Sequence, residues 1–427
     1  MTFSNRSEQT NKNSTNEPTS IVQSKPVFSI FIQYADQSGE REALNVTHDL
    51  DYHIYWETNM MSLRTNADGL AKLSRHDSIL SIELSKDYKS LPQSTTFSND
   101  RNAPAVPVSS ASKLKQGQWG YSAIQASAAV RAGFTGKGIK IAVLDTGVSE
   151  KSALNISGGV STVDGVSSYE DDNGHGTFVA GIIGAKSKAY KGIAPDASIY
   201  AVKVMDKDGN GSTESLAKGL DWAIRQRMDI INLSLSFPQN SPAIDALLEK
   251  AAAKGITVIV AAGNSGNSDG SGNTLAFPAK SPETITVAAV DSDLKRAAFS
   301  GTGDEVELSA PGVGVVSSSL SGKYKLSDGT SAAAPFVSGM VAVLKQAYPN
   351  LSADQIRTSL QRGAIDLGPR GRDPQYGYGM VSFERLIGKN SVIPNTTYAD
   401  AQSASSGTTS ASGSGSQKAS AESGTFR

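Results

Sequence analysis

The side chains of this sequence that could do covalent chemistry are few and widely spaced. "LSDGTSAAAPFVSG", Leu326 to Gly339, sets the hydroxyl of Ser331 between a Gly-Thr turn and a run of alanines that reads as a buried helix. First-turn N–H groups of a helix lack intrahelical partners, which suits a hydroxyl that attacks a carbonyl. Taken alone, the segment reads more simply as a Ser N-cap on a core helix. "KIAVLDTGVS" ends an apolar run on Asp145, where open parallel sheets collect their functional groups, though Asp is also an ordinary turn former. "DDNGHGTFVAGII" puts His175 at the start of an apolar helix, and "VIVAAGNSG" brings Asn264 to the end of a buried strand. Acyl transfer needs a nucleophile, a base that works near neutral pH and an acid that orients the base. Ser331, His175 and Asp145 supply one of each, and the Asn264 amide can face a developing oxyanion beside the Ser331 backbone N–H.

Positioning four such groups takes a sheet. From Trp119 to about Asn390, β-branched runs such as "SIYAVKVM", "DIINLSLS", "TVIVAAG" and "TITVAAV" alternate with alanine-rich helical stretches such as "SLAKGLDWAIRQ" and "AIDALLEKAAAKG". Apolar strands separated by helices argue for a parallel sheet covered on both faces. This unit is assigned to residues 119–390. Ahead of it, residues 26–88 read as a small α/β domain: "PVFSIFIQYA" as a strand, then "ADGLAKLSRHDSILSIELSKDY" as an amphipathic helix and an alternating strand. Residues 1–25 are too poor in apolar side chains to fold, 89–118 form a Ser/Pro/Asn-rich accessible linker, and 391–427 form a flexible Ser/Gly/Ala tail.

Bulk composition narrows the function. At 427 residues the chain exceeds one typical domain. Lys+Arg of 40 against Asp+Glu of 41 leaves a net charge of −1, which argues against a nucleic acid or an anionic membrane as partner. The absence of cysteine excludes disulfides, thiolate nucleophiles and Cys-based metal sites. No apolar run approaches the roughly 18 to 20 residues of a membrane helix, "ITVIVAA" being the longest. The polar N-terminus lacks the apolar stretch of a signal peptide, so either the chain stays inside or a signal has been removed.

The segments "VLDTGVS", "NGHGTFVAG", "AAGNSG" and "DGTSAAAPFVSG", in the order Asp, His, Asn, Ser, resemble the subtilisin-like serine proteases. The resemblance runs from roughly Trp119 to Ile387 and takes in "IAPDASIYAVKVMDKDGNGS", "INLSLS", "FPAKSP" and "APG". It implies an α/β fold, a subtilisin-like three-layer sandwich with a mostly parallel central sheet, preceded by a small α/β propeptide domain. It implies Ser331 as the acylated nucleophile, His175 as general base and then acid, Asp145 as its orienting carboxylate, and Asn264 with the Ser331 N–H as the oxyanion hole. Substrate in this family lies as an added β-strand, here between Asp208 to Gly211, including Gly209 and Asn210, and Leu233, Ser234, Leu235 and Ser236. Ala261, Ala262 and Gly263 would line the pocket before the cleaved bond, with Ala276 near its floor; their small uncharged side chains favour an uncharged residue there.

Departures from the family pattern are informative. Ala332 stands where the family usually has Met, removing an oxidisable sulfur beside the site. Phe336 stands where His is frequent and Ser236 where Gly is common. Leu154 replaces an Asp of the family's strong calcium site, and the loop "AKSKAYKG", Ala185 to Gly192, is short and carries Lys186 and Lys188, which oppose a hard cation. No metal ligands and no required cofactor are therefore expected, the strong calcium site being lost. The unit at 26–88 resembles the family propeptide, a folding assistant and inhibitor, with the processing site in 89–118.

These readings converge on a serine endopeptidase made as a self-processing precursor. Its expected partners are a protein or peptide substrate and its own propeptide; after processing it is expected to be monomeric and extracellular. A dedicated maturation protease trimming one precursor looks the same in sequence. A non-catalytic relative fits poorly with an intact Asp, His, Asn and Ser set. A serine esterase expects a G-x-S-x-G elbow and a His after the Ser, whereas His175 precedes Ser331 here.

Overall fold

The computed structural model describes residues 26–48, 51–89, 118–187, 190–237, 239–387 and 391–393. The expected N-terminal segment 1–25, all but the ends of the linker 89–118 and all but the start of the tail 391–427 lie outside the described residues.

The small domain consists of β1 (Val27–Tyr34), α1 (Gln37–Asn45), β2 (Tyr52–Tyr55), β3 (Met60–Asn66), α2 (Ala67–Leu73) and β4 (Ile79–Leu84). Its sheet has the order β2-β3-β1-β4, with antiparallel pairing throughout. The strand, helix and strand expected from sequence are β1, α2 and β4; helix α1 and the β2–β3 hairpin are additional. Helix α1 starts where the Asp36 carboxylate accepts the Ser38 and Gly39 N–H groups, and α2 where Asn66 does the same for Asp68 and Gly69. Ile30, Ile32, Tyr34, Met61, Leu63 and Leu73 form this domain's own core.

Strand β5 (Asp87–Lys89) follows β4, and beyond the linker come α3 (Trp119–Ala123) and α4 (Ser127–Arg131). The large unit continues as β6 (Lys140–Asp145), β7 (Ile156–Ser161), α5 (His175–Gly184), β8 (Ser198–Lys203), β9 (Asn210–Ser212), α6 (Thr213–Arg225), β10 (Ile230–Leu233), α7 (Pro242–Ala253), β11 (Thr257–Ala261), β12 (Thr284–Val290), β13 (Val306–Pro311), β14 (Val315–Ser318), β15 (Tyr324–Ser327), α8 (Thr330–Ala347) and α9 (Ala353–Gly363). Seven strands pair in parallel in the order β13-β12-β11-β10-β6-β8-β7. Alternation along each strand feeds two cores. Ile141, Val143, Ile259 and Ala261 face α5 and α8, whereas Ala142, Leu144, Val258 and Val260 face α6 and α7. Every residue of α5 is buried, which suits a helix that is apolar all round.

From β6 the chain leads to β7 and β8 on one side, while β10 to β13 lie on the other, so the C-terminal end of β6 is the switch point of the sheet. In sheets of this kind that crevice is where functional groups gather.

The small domain packs on the α6 and α7 side through Phe31, Tyr55 and Met60, which join the large unit's second core. Polar contacts frame them. The Glu83 carboxylate accepts the Ala243 N–H in the first turn of α7 at 3.1 Å, Glu57 pairs with Lys250 and Lys254, and His53 Nε2 lies 2.9 Å from Asp221 on α6.

Candidate active site

Asp145 is the last residue of β6 and is fully buried. His175 is the first residue of α5, behind Gly174, whose φ of 102° turns the chain into the helix. The two come together: His175 Nδ1 lies 2.7 and 2.9 Å from the two Asp145 carboxylate oxygens. That arrangement assigns Nδ1 the proton-donating role and leaves Nε2 as the basic nitrogen.

A buried scaffold sets the pair's spacing. The Thr146 N–H donates to Asp145 Oδ1 at 2.7 Å, and the Thr146 hydroxyl donates to Asp171 at 2.9 Å while accepting the Gly176 N–H at 2.9 Å. Asp171 also accepts from the Asn173 and Gly174 N–H groups and from both the N–H and the hydroxyl of Thr177. Lys203 ends β8 beside Asp145, is fully buried, and donates to the Thr146 carbonyl at 2.6 Å and to Asp172 at 2.8 Å. The sequence reading missed these residues; two acidic positions just before an apolar helix, "DDNGHG", were the available signal, since a carboxylate there matches free N–H groups. Lys325 on β15 sets its ammonium 5.4 Å from the Phe178 ring centroid on α5; burial lowers its pKa, while Asp171 and Asp145 oppose that shift.

Ser331 is the second residue of α8 and 1% exposed. Thr330 donates both its N–H and its hydroxyl to Asn264 Oδ1, and its hydroxyl also accepts the Gly263 N–H at 3.1 Å. With its oxygen so engaged, the amide turns Nδ2 toward Ser331. Gly329 measures the result: a Cβ there would stand 2.9 Å from Ser331 Oγ, 3.3 Å from Asn264 Nδ2 and 3.6 Å from the Ser331 nitrogen. A hydroxyl and two N–H donors thus border one space that only glycine leaves open. Among the described residues the Ser331 hydroxyl makes no hydrogen bond to the His175 ring; such bonds are often long in unliganded sites and tighten around substrate.

The remaining sequence-derived positions surround this centre unevenly. Asn210 and Gly211 belong to β9, which pairs antiparallel with β5: Tyr88 lies opposite Gly211 and Lys89 opposite Asn210. Gly209 closes the turn before β9, with a φ of 77°. Tyr88 stacks on Phe237 at 5.3 Å, and burial raises the pKa of its hydroxyl. A Cβ on Gly211 would stand 2.7 Å from Tyr88 Cζ, so this seat exists because position 211 has no side chain. Leu233 is the last residue of β10 and Leu235 and Ser236 follow it, all three buried, and the Ser234 hydroxyl points at the Ser331 carbonyl, 3.1 Å away, rather than into a groove. Ala261 and Ala262 bury their side chains in the core, so only their backbone can face a ligand; Gly263 approaches Ala276, whose nitrogen lies 4.0 Å from a Gly263 Cβ.

The group comprises a buried carboxylate–imidazole pair, a hydroxyl at a helix N-terminus and paired N–H donors. Chemically it can deprotonate a hydroxyl and hold the oxyanion of an attacked carbonyl. Comparison with known proteins agrees with that chemistry. A family model described as the Subtilase family matches residues 136–379. The chain is 37% identical over 377 residues to the Minor extracellular protease Epr of Bacillus subtilis, covering 86% of this chain and 55% of that protein. It is 41% identical over 269 residues to Subtilisin DY of Bacillus licheniformis and 43% identical over 268 residues to Subtilisin BL of Lederbergia lenta, each match covering 62% of this chain and 97% of the relative. The chain therefore spans about half the length of the first relative and nearly all of the other two.

Proposed function

The chain belongs to the subtilase family of serine endopeptidases, and on that premise we propose that it hydrolyses peptide bonds through an acyl-enzyme formed on Ser331, as a precursor inhibited by its own small domain. His175 takes the Ser331 proton as the hydroxyl attacks and returns it to the leaving amine. Asp145 keeps the imidazole in the productive tautomer and stabilises the imidazolium. Asn264 Nδ2 and the Ser331 N–H hold the oxyanion. The observation that carries the reading is the space beside Gly329, bordered by the hydroxyl and both donors.

Inhibition by the small domain is supported by the β5–β9 pairing. A substrate binding as an added strand needs the same edge, and Tyr88 already fills the seat over Gly211. Cleavage within 89–118 would let the small domain dissociate and so free that edge; those residues lie outside the described residues except Lys89 and Gln118.

Catalysis without a resident cation is part of the proposal. Loop 185–192 closes by protein contacts: the Gly192 N–H donates to the Ala185 carbonyl, the Lys186 N–H donates to the Ala153 carbonyl, and Lys186 Nζ pairs with Asp196 at 3.0 Å. Leu154, in place of a carboxylate, packs against Ala185 and Tyr190. Export is proposed by analogy with the relative named as an extracellular protease; among the described residues no helix is long and apolar enough to cross a membrane.

The test is Ser331→Ala. It abolishes labelling by a serine-directed fluorophosphonate and stops the appearance of new N-termini within 89–118, while circular dichroism stays that of the parent. Labelling that persists in the variant overturns the reading.

A further inference from the structure

Pro335 lies inside α8, four residues after Ser331. Proline has no backbone N–H, so the Ser331 carbonyl loses the partner an unbroken helix would give it. Ser331 is 1% exposed, which denies that carbonyl a ready exchange with bulk water. The Ser234 hydroxyl supplies the missing donor at 3.1 Å. Ser234 in turn accepts from Asn232 Nδ2 at 3.0 Å, and Asn232 Oδ1 accepts from the Ser338 hydroxyl at 2.8 Å. Ser234, Asn232 and Ser338 are all fully buried. The relay leaves the third turn of α8 at Ser338, crosses the end of β10, and returns to the first turn of α8 at Ser331.

Three polar side chains buried among apolar neighbours are a costly choice for stability alone, because each must be fully partnered. What the relay fixes is the orientation of the turn that carries both the Ser331 hydroxyl and the Ser331 N–H. We propose that Ser234 is a positioning residue, acting on the reaction through Ser331 by replacing the backbone donor that Pro335 removes. The inference rests on Ser331 being the nucleophile. It reassigns a side chain that sequence reasoning placed on the substrate's path.

The kinetic signature separates the two roles. Removing a substrate contact raises KM; loosening the nucleophile's turn lowers kcat with KM nearly unchanged. A displacement of about 1 Å in such a site lowers rate by about 100-fold, so Ser234→Ala is expected to lose about 10- to 100-fold in kcat. The decisive variant is Ser234→Ala with Pro335→Ala, which returns a backbone N–H opposite the Ser331 carbonyl. It is expected to recover much of the lost kcat, so the two substitutions are strongly non-additive.

Rates are expressed per active site titrated with the fluorophosphonate, on protein with the wild-type fragment pattern. A raised KM with unchanged kcat in Ser234→Ala, or strictly additive effects in the double variant, overturns the proposal. Should Ser234→Ala fail to fold, Ser338→Ala carries the test from the far end of the relay: a kcat loss without a KM change supports the inference, and unchanged kinetics overturn it. Titration of Ser331→Ala to the wild-type level would instead remove the reading of Ser331 as nucleophile.

Discussion

Thr330 donates its backbone N–H at 2.9 Å and its hydroxyl at 2.8 Å to the same atom, the side-chain oxygen of Asn264. Two donors on one oxygen remove the rotational freedom of the amide, so Nδ2 faces Ser331 before any substrate arrives. Losing one such donor in acyl transfer typically lowers turnover by about 10²–10³, and Asn264→Ala is expected to fall in that range with little change in KM. Thr330→Val keeps the N–H and loses the hydroxyl, so a smaller drop in the same constant is expected. Steady-state kinetics on a short peptide substrate check both, and a Thr330→Val variant slower than Asn264→Ala would contradict the division of labour.

Tyr88 anchors β5 on β9 by filling the seat above Gly211. Tyr88→Ala removes the ring stacked on Phe237 and is expected to weaken self-inhibition at least about 10-fold, in line with the loss from truncating a buried aromatic. Activity of freshly purified, uncleaved protein then starts high instead of rising with time. A lag as long as that of wild type would show that the ring is not what holds the strand.

Asp245, on α7, carries a carboxyl whose pKa is raised, first by burial and then by Glu249 and Glu83, against hydrogen bonds from Asn240 and Ser281. Glu83 comes from the small domain, so this repulsion crosses the interface. A group with a raised folded pKa contributes stability that is complete below its ordinary value and is lost as pH rises through the raised one. Asp245→Asn is therefore expected to raise Tm at neutral pH and to flatten the fall in Tm as pH rises from the ordinary carboxylate range. Thermal melts of the Ser331→Ala background from acid to neutral pH test this; a lower Tm at neutral pH in the Asn variant would refute it.

Loop 185–192 joins its ends through the Gly192 N–H to Ala185 carbonyl bond, and Lys186 anchors it to the Ala153 carbonyl and to Asp196. A chelator is accordingly expected to move the Tm of the processed protein only slightly. Scanning calorimetry with and without chelator decides, and a large drop would mean that a structural cation is bound.

The parts of this fold that announced themselves in sequence are those where one physical requirement dominates. "KIAVLD" had to be a doubly buried strand, and its last residue had to sit at the sheet's carboxyl edge, so Asp145 was placed correctly from pattern alone. His175 opens one apolar helix and Ser331 stands second in another, each in the first turn, where a polar side chain meets free N–H groups. What stayed hidden was set by partners distant in sequence. Strands β5 and β9, "DYK" and "NGS", have no apolar alternation and exist because each completes the other. Ser234 looks like a groove residue until Pro335, about a hundred positions away, explains what its hydroxyl is for. Asp171 and Lys203 likewise acquire roles only when the chain brings β6, β8 and α5 together.

The short step from β4 to β5, only Ser85 and Lys86, has a kinetic corollary. With the small domain docked on α6 and α7, a strand tethered so closely to β4 meets β9 at an effective concentration in the millimolar range or above, whatever the protein's dilution. Under the proposed inhibition, external peptides at micromolar levels would compete poorly with it, and the edge would stay closed by proximity more than by the strength of any single contact. One cut downstream would leave every contact in place and change only the molecularity of release. In the proposed scheme dilution itself would then be the activator.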